Sequence, residues 1–241
     1  MAHWVVTGVS TGFGRALAEA ILEKGHQVTG TVRQGAAKRE FDKLAPGRSV
    51  DVLLDVTDET AVHRVINEIA TKSAIDVLVN NTGYGFEGAF EEATLDQVRK
   101  QFDVNVFGAV AVMQAVLPHM RQRRAGHIVN VTSMGGLTAF PGVGIYNGSK
   151  YALEGISEAL AKEVKPLGIK VTIVEPGSFR TDWAGRSMVH VEKTIPDYEA
   201  TAGQFRQSLA HRNGRQAGDP RKAAKAIILA VEAEQPPAPT P

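Results

Sequence analysis

The chain of 241 residues contains no cysteine, which excludes disulfides, thiolate metal sites and a cysteine nucleophile. Neither sign of charge dominates, because 27 Lys and Arg residues are balanced by 26 Asp and Glu residues, for a net charge of +1. This balance gives no broad attraction to nucleic acid or to an anionic membrane. No uninterrupted apolar run reaches membrane-spanning length, and the first strand-like segment leaves no room for a signal peptide. These features predict a cytoplasmic protein that binds neither nucleic acid nor membranes.

Patterns typical of metal sites are also missing from the sequence. The seven histidines are scattered along the chain, and none has the short spacing to another His, Asp or Glu that such sites need. We therefore expect no metal cofactor.

Alternating strand-like and helical segments run through most of the chain. Apolar strand-like runs occur at His3–Thr7, Gln27–Arg33, Ser49–Leu54, Ile75–Val79, His127–Thr132 and Lys170–Val174. Continuous apolar runs are typical of strands covered on both faces, and their alternation with helices favours a parallel sheet. The sequence predicts a single α/β domain over residues 1–241, a doubly wound parallel sheet (Rossmann fold) in three α/β/α layers. Ligands of such folds bind beyond the carboxyl ends of the strands.

A glycine-rich loop separates the first strand from the first helix. It reads Gly8-Val9-Ser10-Thr11-Gly12-Phe13-Gly14, and a helix-forming run, Arg15–Lys24, follows and stops at Gly25. Backbone N–H groups at such a helix start can hold a phosphate. Gly8 would allow the tight turn, Gly12 the approach of a pyrophosphate, and Gly14 close packing. An ordinary strand-to-helix turn is the alternative, but the position of the loop favours phosphate binding.

The residues at the end of the second strand indicate whether NAD or NADP is the preferred nucleotide. In dinucleotide-binding folds an acidic residue there binds the 2′-hydroxyl of NAD, whereas an Arg can accommodate the 2′-phosphate of NADP. This chain has Val32 and Arg33 there, with no carboxylate. The sequence therefore predicts NADP as the cofactor, with NAD possible. The alternative for Arg33 is a solvated strand end.

A Tyr-x3-Lys pair, Tyr146 and Lys150, lies in a segment with helical spacing, and Ser133 stands thirteen residues before Tyr146. Residues at i and i+4 share a helix face, so a lysine cation can lie beside the phenol and lower its pKa from about 10. A serine hydroxyl from a separate strand end could then polarise a substrate carbonyl. A Tyr and a Lys on one solvated helix face are the alternative, since the pair alone is a common coincidence.

Taken together, these motifs resemble the short-chain dehydrogenase/reductase family. The resemblance rests on the ordered set Gly8-x3-Gly12-x-Gly14, Asn80-Asn81-Thr82-Gly83, Asn105, Ser133, Tyr146-x3-Lys150 and Pro176-Gly177, and covers about residues 3–182. Glu154-Gly155 and the run from Glu175 to Asp182 are similar to a bacterial branch related to retinol and hydroxysteroid dehydrogenases. Thr82 stands where the family usually has alanine, and Thr11 where some NADP enzymes carry a basic residue.

The resemblance implies a role for each matching residue. Tyr146 would be the general acid or base, Ser133 would bind the substrate oxygen, and Asn105 would hold a water that links Lys150 to solvent. Lys150 would lower the pKa of Tyr146, and with Tyr146 it would bind the nicotinamide ribose. The remaining cofactor contacts are expected at Gly8, Ser10, Thr11, Gly12, Phe13, Gly14, Arg33, Asp55, Val56, Asn81, Gly83, Pro176, Gly177, Phe179 and Thr181.

The substrate region is expected on two sides of the cofactor. Residues 178–219 lose the regular pattern, and by resemblance they form a substrate lid that includes Met188, Val189, Tyr198 and Phe205. Apolar walls are expected from Tyr84, Phe86, Leu137, Phe140 and Val143, which favours an apolar or aromatic carbonyl or alcohol as substrate. Ordinary packing is the alternative for these side chains.

Two further expectations concern helices and the end of the chain. Long helices are predicted over Leu95–Met120 and from Tyr146 to a stop at Pro166 and Gly168, and by resemblance they would pair in a homo-oligomer, a dimer or tetramer. A helix over Pro220–Glu234 precedes the proline-rich tail 235–241. Proline does not suit a central strand, so the seventh strand of many relatives is expected to be missing.

The sequence thus predicts an NADP(H)-dependent oxidoreductase that interconverts a carbonyl and an alcohol by hydride transfer. Two alternatives stay open: a non-catalytic dinucleotide sensor, and an epimerase or dehydratase on the same scaffold. The sensor would be expected to lose Ser133, Tyr146 or Lys150, and all three are present. The epimerase or dehydratase would need a further acid–base group.

Overall fold

A parallel sheet of six strands forms the centre of the protein in the computed structural model, which describes residues 1–33 and 40–234. The strands of the chain are β1 (His3–Val6), β2 (Gln27–Val32), β3 (Ser49–Leu53), β4 (Val77–Asn80), β5 (Gly85–Glu87), β6 (Gly126–Val131), β7 (Ile169–Val174) and β8 (Met188–His190). The central sheet has the order β3-β2-β1-β4-β6-β7, and every neighbouring pair in it is parallel. The predicted doubly wound fold is confirmed, with strand ends within two residues of the predicted ones.

Helices cover both faces of this sheet. They are α1 (Gly12–Glu23), α2 (Glu59–Lys72), α3 (Leu95–Phe102), α4 (Gly108–Arg123), α5 (Gly144–Val164), α6 (Gln204–Arg212) and α7 (Pro220–Glu232). Because the side chains of a strand alternate between the two faces of the sheet, β1 contributes side chains to two separate hydrophobic cores. Trp4 and Val6 pack with α1 and α7, whereas Val5 packs with α2, α4 and α5. This is the three-layer arrangement expected from the sequence.

The long helix predicted over Leu95–Met120 differs from the expectation. A π-helical segment, Asp103–Phe107, separates α3 from α4, and α4 continues to Arg123. Such segments are rare and are frequently found at functional sites. Helical spacing in the sequence cannot reveal one additional residue in a turn.

The same stretch, Leu95–Arg123, is the one described helical segment long and apolar enough to cross a membrane by length and composition. It is not an uninterrupted apolar run, because polar side chains such as Asp103, Asn105 and Gln114 lie within it. Its contacts explain the apolar composition, because Val112, Met113, Val116 and Met120 are buried in the core beside α2. A core helix of a soluble protein passes the same test.

The predicted lid, 178–219, is more ordered than its sequence pattern indicates. It contains β8, which pairs in parallel with β5, and α6, while an isolated bridge joins Phe179 to Gly218. The predicted helix Pro220–Glu234 is α7 and ends at Glu232. The tail 235–241 lies outside the described residues, and so does any strand there.

Candidate active site

The glycine loop meets the geometric needs of a phosphate-binding turn. Gly8 and Gly12 have φ angles of 73° and 61°, in the left-handed region that favours glycine. A side chain at Gly14 would collide with the Asn81 amide and the Gly8 carbonyl. Thr11 caps α1 without a side-chain hydrogen bond, and the first turn of α1 carries no acidic residue. The N–H groups of that turn are therefore free of a side-chain cap and can donate hydrogen bonds to an anion.

Asn81 fixes this loop to the end of β4. Its Nδ2 donates to the carbonyl oxygens of Thr7 and Gly8, at 2.9 and 3.1 Å. The Thr7 hydroxyl in turn accepts from the backbone N–H groups of Asn81 and Thr82, at 2.9 and 3.0 Å. These hydrogen bonds join the end of β1 to the end of β4 and so fix the position of the loop.

A cleft of about 1270 Å³ extends from this loop across the carboxyl ends of the strands. It exceeds the usual volume of a site for a drug-sized ligand, so it has room for a dinucleotide and a substrate. Its lining includes nearly all of the predicted site residues: Gly8, Ser10, Thr11, Gly12, Phe13, Arg33, Asp55, Asn81, Gly83, Ser133, Tyr146, Lys150, Pro176, Gly177, Phe179 and Thr181. With its uncapped helix start and glycine cradle, the cleft fits a dinucleotide.

Three predicted residues do not line the cleft. Gly14 lies behind the loop, where it allows α1 to approach Asn81. Val56 is 5 % exposed, and it lies so near Gly108 that a side chain there would collide with it. Asn105 is 1 % exposed within the π-helical segment. These three residues are therefore positioned behind the cleft and do not face it.

Asn105 binds the segment that leads out of β4. Its Oδ1 accepts from the Tyr84 N–H, and its Nδ2 donates to the Tyr84 carbonyl, both at 3.1 Å. Nδ2 also lies 3.2 Å from the Ser149 hydroxyl. A Cβ at Gly83 would approach Asn105 Oδ1 to 3.2 Å and Lys150 Nζ to 3.6 Å, so the site needs a small residue there. The π-helical segment is what brings Asn105 to this position.

Three side chains meet at the centre of the cleft. Ser133 follows β6, and its Oγ accepts from the Gly135 N–H at 3.0 Å. Tyr146 lies in the first turn of α5 and is 6 % exposed. Lys150 is one turn further along; its Nζ donates to the Val131 carbonyl at 2.9 Å and lies 6.0 Å from the centre of the Tyr146 ring. The predicted group is thus assembled from a strand end and a helix.

The pKa values of this group follow mainly from burial. Burial raises the pKa of Tyr146 to about 12, because the phenolate loses its hydration, while hydrogen bonds with Ser133 and Trp183 act to lower it. Burial lowers the pKa of Lys150 to about 8, and the charge of Glu154 acts to raise it. The expectation of a lowered pKa for Tyr146 was therefore wrong for this structure, since burial outweighs its partners.

The predicted nucleotide end of the cleft holds Arg33 and Asp55. Arg33 directly follows β2 and is exposed. Asp55 accepts from the N–H and the hydroxyl of Thr57, at 3.0 and 2.7 Å, and these bonds, with a smaller contribution from Arg33, lower its pKa. Both side chains are free to meet a ligand from the cleft.

On the substrate side the expected walls are only partly correct. Tyr84, Phe140, Val143, Val189 and Phe205 line the cleft, and the Phe140 and Phe205 rings stack with centres 6.0 Å apart.

Four residues expected on this side lie elsewhere. Phe86 is 1 % exposed because it faces the interior from β5, and Leu137 is 58 % exposed on the outer surface. Met188 is buried beneath Gly85, and Tyr198 bonds to Glu91 outside the cleft.

The most informative residue that the sequence analysis missed is Trp183. It lines the cleft, and its ring centre lies 5.1 Å from that of Tyr146. Leu209, Arg212 and Gln216 also line the cleft from the lid. Only the short distance of Trp183 from Thr181, in a chain with two Trp residues, could have indicated its role.

Metal ligands are not grouped in the described ranges 1–33 and 40–234. No set of three or more His, Asp or Glu residues in these ranges lies close enough to hold an ion.

Comparisons with known proteins agree with this geometry. The family model described as short chain dehydrogenase matches residues 2–190. A 3-ketodihydrosphingosine reductase of Bacteroides thetaiotaomicron is 38 % identical over 97 % of this chain and 84 % of its own length. A short-chain dehydrogenase from Streptomyces avermitilis superimposes with a TM-score of 0.91 and 43 % identity, over 98 % of this chain and 86 % of that one.

Two further solved structures contain a dinucleotide. ElxO with NADP bound has a TM-score of 0.80 and 28 % identity, over 98 % of this chain and 93 % of its own. A short chain dehydrogenase/reductase from Burkholderia phymatum, in complex with NAD, has a TM-score of 0.83 and 25 % identity, over 95 % and 85 %. Two solved structures with the same fold thus contain NADP or NAD. Given the match of the family model and the arrangement of the cleft, the chain belongs to the short-chain dehydrogenase family of oxidoreductases.

Proposed function

We propose that this oxidoreductase uses NADP(H) to interconvert a ketone or aldehyde with the corresponding alcohol, with Tyr146 as the general acid or base. The observation that carries the proposal is that Ser133, Tyr146 and Lys150 line the same cleft as the glycine loop. A proton donor, a hydroxyl and a dinucleotide cradle then surround a single space. Function is argued from this site, because the fold alone hosts many activities.

The protein's own groups handle the substrate oxygen. When bound, the cofactor supplies or accepts a hydride at the substrate carbon. In reduction, Tyr146 gives its phenol proton to the oxygen as the carbonyl π bond breaks, so that O–H and C–H bonds form. The Ser133 hydroxyl donates a hydrogen bond to that same oxygen, where negative charge develops. The phenolate then regains a proton from solvent through Lys150 and, by resemblance, a water at Asn105.

The proposed preference for NADP(H) rests on Arg33. This cation follows β2 at the cleft and has no acidic neighbour in the sequence position that would select NAD. The NADP-bound relative adds support, and the NAD-bound relative keeps NAD as a second possibility.

For the substrate we propose an apolar or aromatic carbonyl compound. Tyr84, Phe140, Val143, Trp183 and Phe205 provide mostly apolar walls. The name of the relative from Bacteroides thetaiotaomicron gives a keto compound as its substrate, which supports carbonyl reduction here.

A homo-oligomer stays a prediction. Large apolar side chains are exposed on or beside the helices expected to pair: Leu95, Phe107 and Tyr151 are 69 %, 61 % and 44 % exposed. Their exposure in a single chain supports an interface with a second copy.

The proposal is tested by NADPH oxidation with a panel of aldehydes, ketones and diketones, with NADH in parallel. Tyr146→Phe removes the proton donor and keeps the ring, so we expect turnover to fall by about a hundredfold to ten-thousandfold. NADPH binding, measured by its fluorescence, should persist.

Tyr151→Phe is the matched control for this variant. Tyr151 lies on the same helix, is 44 % exposed and does not line the cleft, so its variant should keep full turnover. Equal turnover of Tyr146→Phe and wild type would refute the mechanism. Tight NADPH binding by the wild type with no turnover on any carbonyl would instead favour a dinucleotide sensor.

A further inference from the structure

The buried side chain of Asn147 joins helix α5 to the loop 135–140. Asn147 directly follows Tyr146, is 2 % exposed and lines the cleft. Its Nδ2 donates to the carbonyl oxygen of Gly135 at 2.9 Å, and its Oδ1 accepts from the backbone N–H of Phe140 at 3.0 Å. A reversed amide would place two acceptors together at one end and two donors at the other, so these partners set its orientation. One amide therefore holds both ends of the loop.

The first partner of Asn147 is also the residue that binds the Ser133 hydroxyl. The Gly135 N–H donates to Ser133 Oγ at 3.0 Å. A Cβ at Gly135 would lie 2.5 Å from Asn147 Nδ2, which leaves no room for a side chain there. The same Cβ would lie 3.3 Å from Ser133 Oγ and from Tyr146 Cε1. Asn147 thus fixes the one residue that packs between the serine and the phenol.

The hydrogen bond from Gly135 decides what the Ser133 hydroxyl can do. A serine hydroxyl has one hydrogen to donate and two lone pairs that accept. Because the Gly135 N–H occupies one lone pair, the hydroxyl hydrogen points away from it and remains available to an oxygen in the cleft. In the proposed reduction that oxygen belongs to the substrate and gains negative charge. A donor that is oriented in advance stabilises this charge without reorganisation.

The second partner of Asn147 connects the loop to the lid. The Phe140 ring stacks on that of Phe205 in α6, with ring centres 6.0 Å apart and planes inclined by 18°. Both rings line the cleft, and the backbone of Phe140 is held by Asn147 Oδ1. The two hydrogen bonds of Asn147 therefore act on different places, one on the group that binds the reacting oxygen and the other on an apolar wall.

We propose that Asn147 is a positioning residue, which aligns the Ser133 hydroxyl through Gly135 and fixes the apolar wall through Phe140. This inference rests on the proposed function, in which Ser133 binds the substrate oxygen. The bond to Gly135 governs a donor to the transition state, so its loss lowers kcat. The bond from Phe140 governs packing around the bound substrate, so its loss raises KM.

Asn147→Asp separates the two hydrogen bonds. The new side chain keeps an oxygen for the Phe140 N–H, and its carboxylate has no hydrogen to donate to the Gly135 carbonyl. We expect kcat for carbonyl reduction to fall by about tenfold to a hundredfold, while KM for the carbonyl substrate stays within about threefold of the wild-type value. A higher KM at an unchanged kcat would overturn the proposal.

Asn147→Ala tests whether the effect on kcat passes through Ser133. This variant removes both hydrogen bonds and leaves room for water at the two partners, so kcat should fall by a similar factor and KM should rise. In the Ser133→Ala background no hydroxyl is left to align, so adding Asn147→Ala should lower kcat by less than about twofold. Equal losses of kcat in the two backgrounds would overturn the proposal, since Asn147 would then act independently of Ser133.

Asn67→Asp and Asn67→Ala are the matched controls. Asn67 is exposed on α2 and bonds to His119 away from the cleft, so both variants should keep the wild-type kcat and KM. NADPH binding, measured by its fluorescence, should persist in the Asn147 variants, which shows that they are folded. Failure of the proposed function would show separately, as absence of wild-type turnover.

Discussion

At the scale of single residues, burial moves the two titrating groups at the centre of the cleft in opposite directions. The pKa of Tyr146 is raised to about 12 and that of Lys150 is lowered to about 8. Near neutral pH the phenol therefore keeps its proton, and the ammonium of Lys150 is close to its titration range. A neutral phenol is a proton donor, which is the form that the carbonyl reduction proposed for this site requires.

Arg33 gives a prediction about the nucleotide. Arg33→Asp replaces the cation beside the expected 2′-phosphate by an anion, so the ratio of kcat/KM for NADPH over NADH should fall by about tenfold to a hundredfold. The measurement is steady-state kinetics with both nucleotides and one carbonyl substrate.

Arg64→Asp on α2 is the matched control for a reversed charge. Arg64 is exposed and forms a surface pair with Glu68 away from the cleft, so this variant should keep the wild-type ratio. The same ratio in Arg33→Asp would remove Arg33 from phosphate recognition.

Single residues were predictable where the chemistry of a motif requires a particular residue type at a particular position. The glycine loop, Ser133, Tyr146 and Lys150 follow from such needs, and all but Val9 and Gly14 line the cleft. Trp183 was missed because its partner is 37 positions away in sequence and no local spacing links them. The direction of the Tyr146 pKa was missed because burial is a property of the folded state.

At the scale of elements, the lid is attached through a buried carboxylate. Glu87 on β5 is fully buried and accepts from Arg206 Nε and His190 Nδ1, both at 2.8 Å. Glu92 accepts from the Ile195 N–H at 2.7 Å and lies 3.5 Å from Arg206 Nη2. These contacts connect the lid to the segment after β4.

Arg206→Ala should loosen the lid. It leaves the carboxylate of Glu87 buried with less compensation, and because Arg206 is partly exposed we expect a loss of about 2–3 kcal/mol in local stability. Limited proteolysis within 178–219 and the KM for substrate measure the effect, and both should increase.

Arg99→Ala is the comparison for this variant, because Arg99 and Asp96 form an exposed pair on α3. Its cost should stay below about 1 kcal/mol. Equal protease resistance of Arg206→Ala and Arg99→Ala would show that Glu87 does not hold the lid.

Elements with their own periodicity were predictable, and the lid was not. The helices and strands of the central layers repeat apolar residues at regular spacing, and this periodicity is visible in a short window of the sequence. β8 has three residues and depends on pairing with β5, about a hundred positions earlier. The π-helical segment likewise has no periodicity of its own, and the contacts of its Asn105 with Tyr84 join residues 21 positions apart.

At the scale of the whole molecule, the two ends of the sheet have different properties. The carboxyl ends carry the cleft, whereas the amino ends bury two imidazoles, His3 and His127. His3 bonds to Thr29 and His127 to Thr172, each at 2.8 Å. The order of the sheet is the expected doubly wound one, because alternating strands and helices leave few other arrangements.

The amino end gives a prediction about acid stability. Burial, and then the charge of Lys170, lowers the pKa of His127 from 6.5 to about 4. The unfolded chain therefore takes up the proton first as pH falls. The stabilisation is complete above pH 6.5 and is lost towards pH 4, by up to about 3 kcal/mol from this residue. His3 acts in the same direction.

His127→Asn should reduce this loss, because the amide does not titrate. The free energy of unfolding in urea, measured above pH 6.5 and near pH 4, should differ less in the variant than in the wild type. His211→Asn, at an exposed position on α6, should behave like the wild type. Identical pH dependence of all three proteins would exclude His127 as a cause of acid unfolding.

The lid can change in sequence separately from the two cores beside the sheet. Residues 178–219 form one contiguous stretch, and of the residues in the two cores beside the sheet none comes from this stretch. Replacement of the part of this stretch after Thr181, the last cofactor contact expected there, can thus alter which molecules are accepted while both cores and the nucleotide cradle stay unchanged. Trp183 limits this freedom, since its ring packs against that of Tyr146, and an exchanged lid without an aromatic residue at that position would lose this contact with the proposed proton donor.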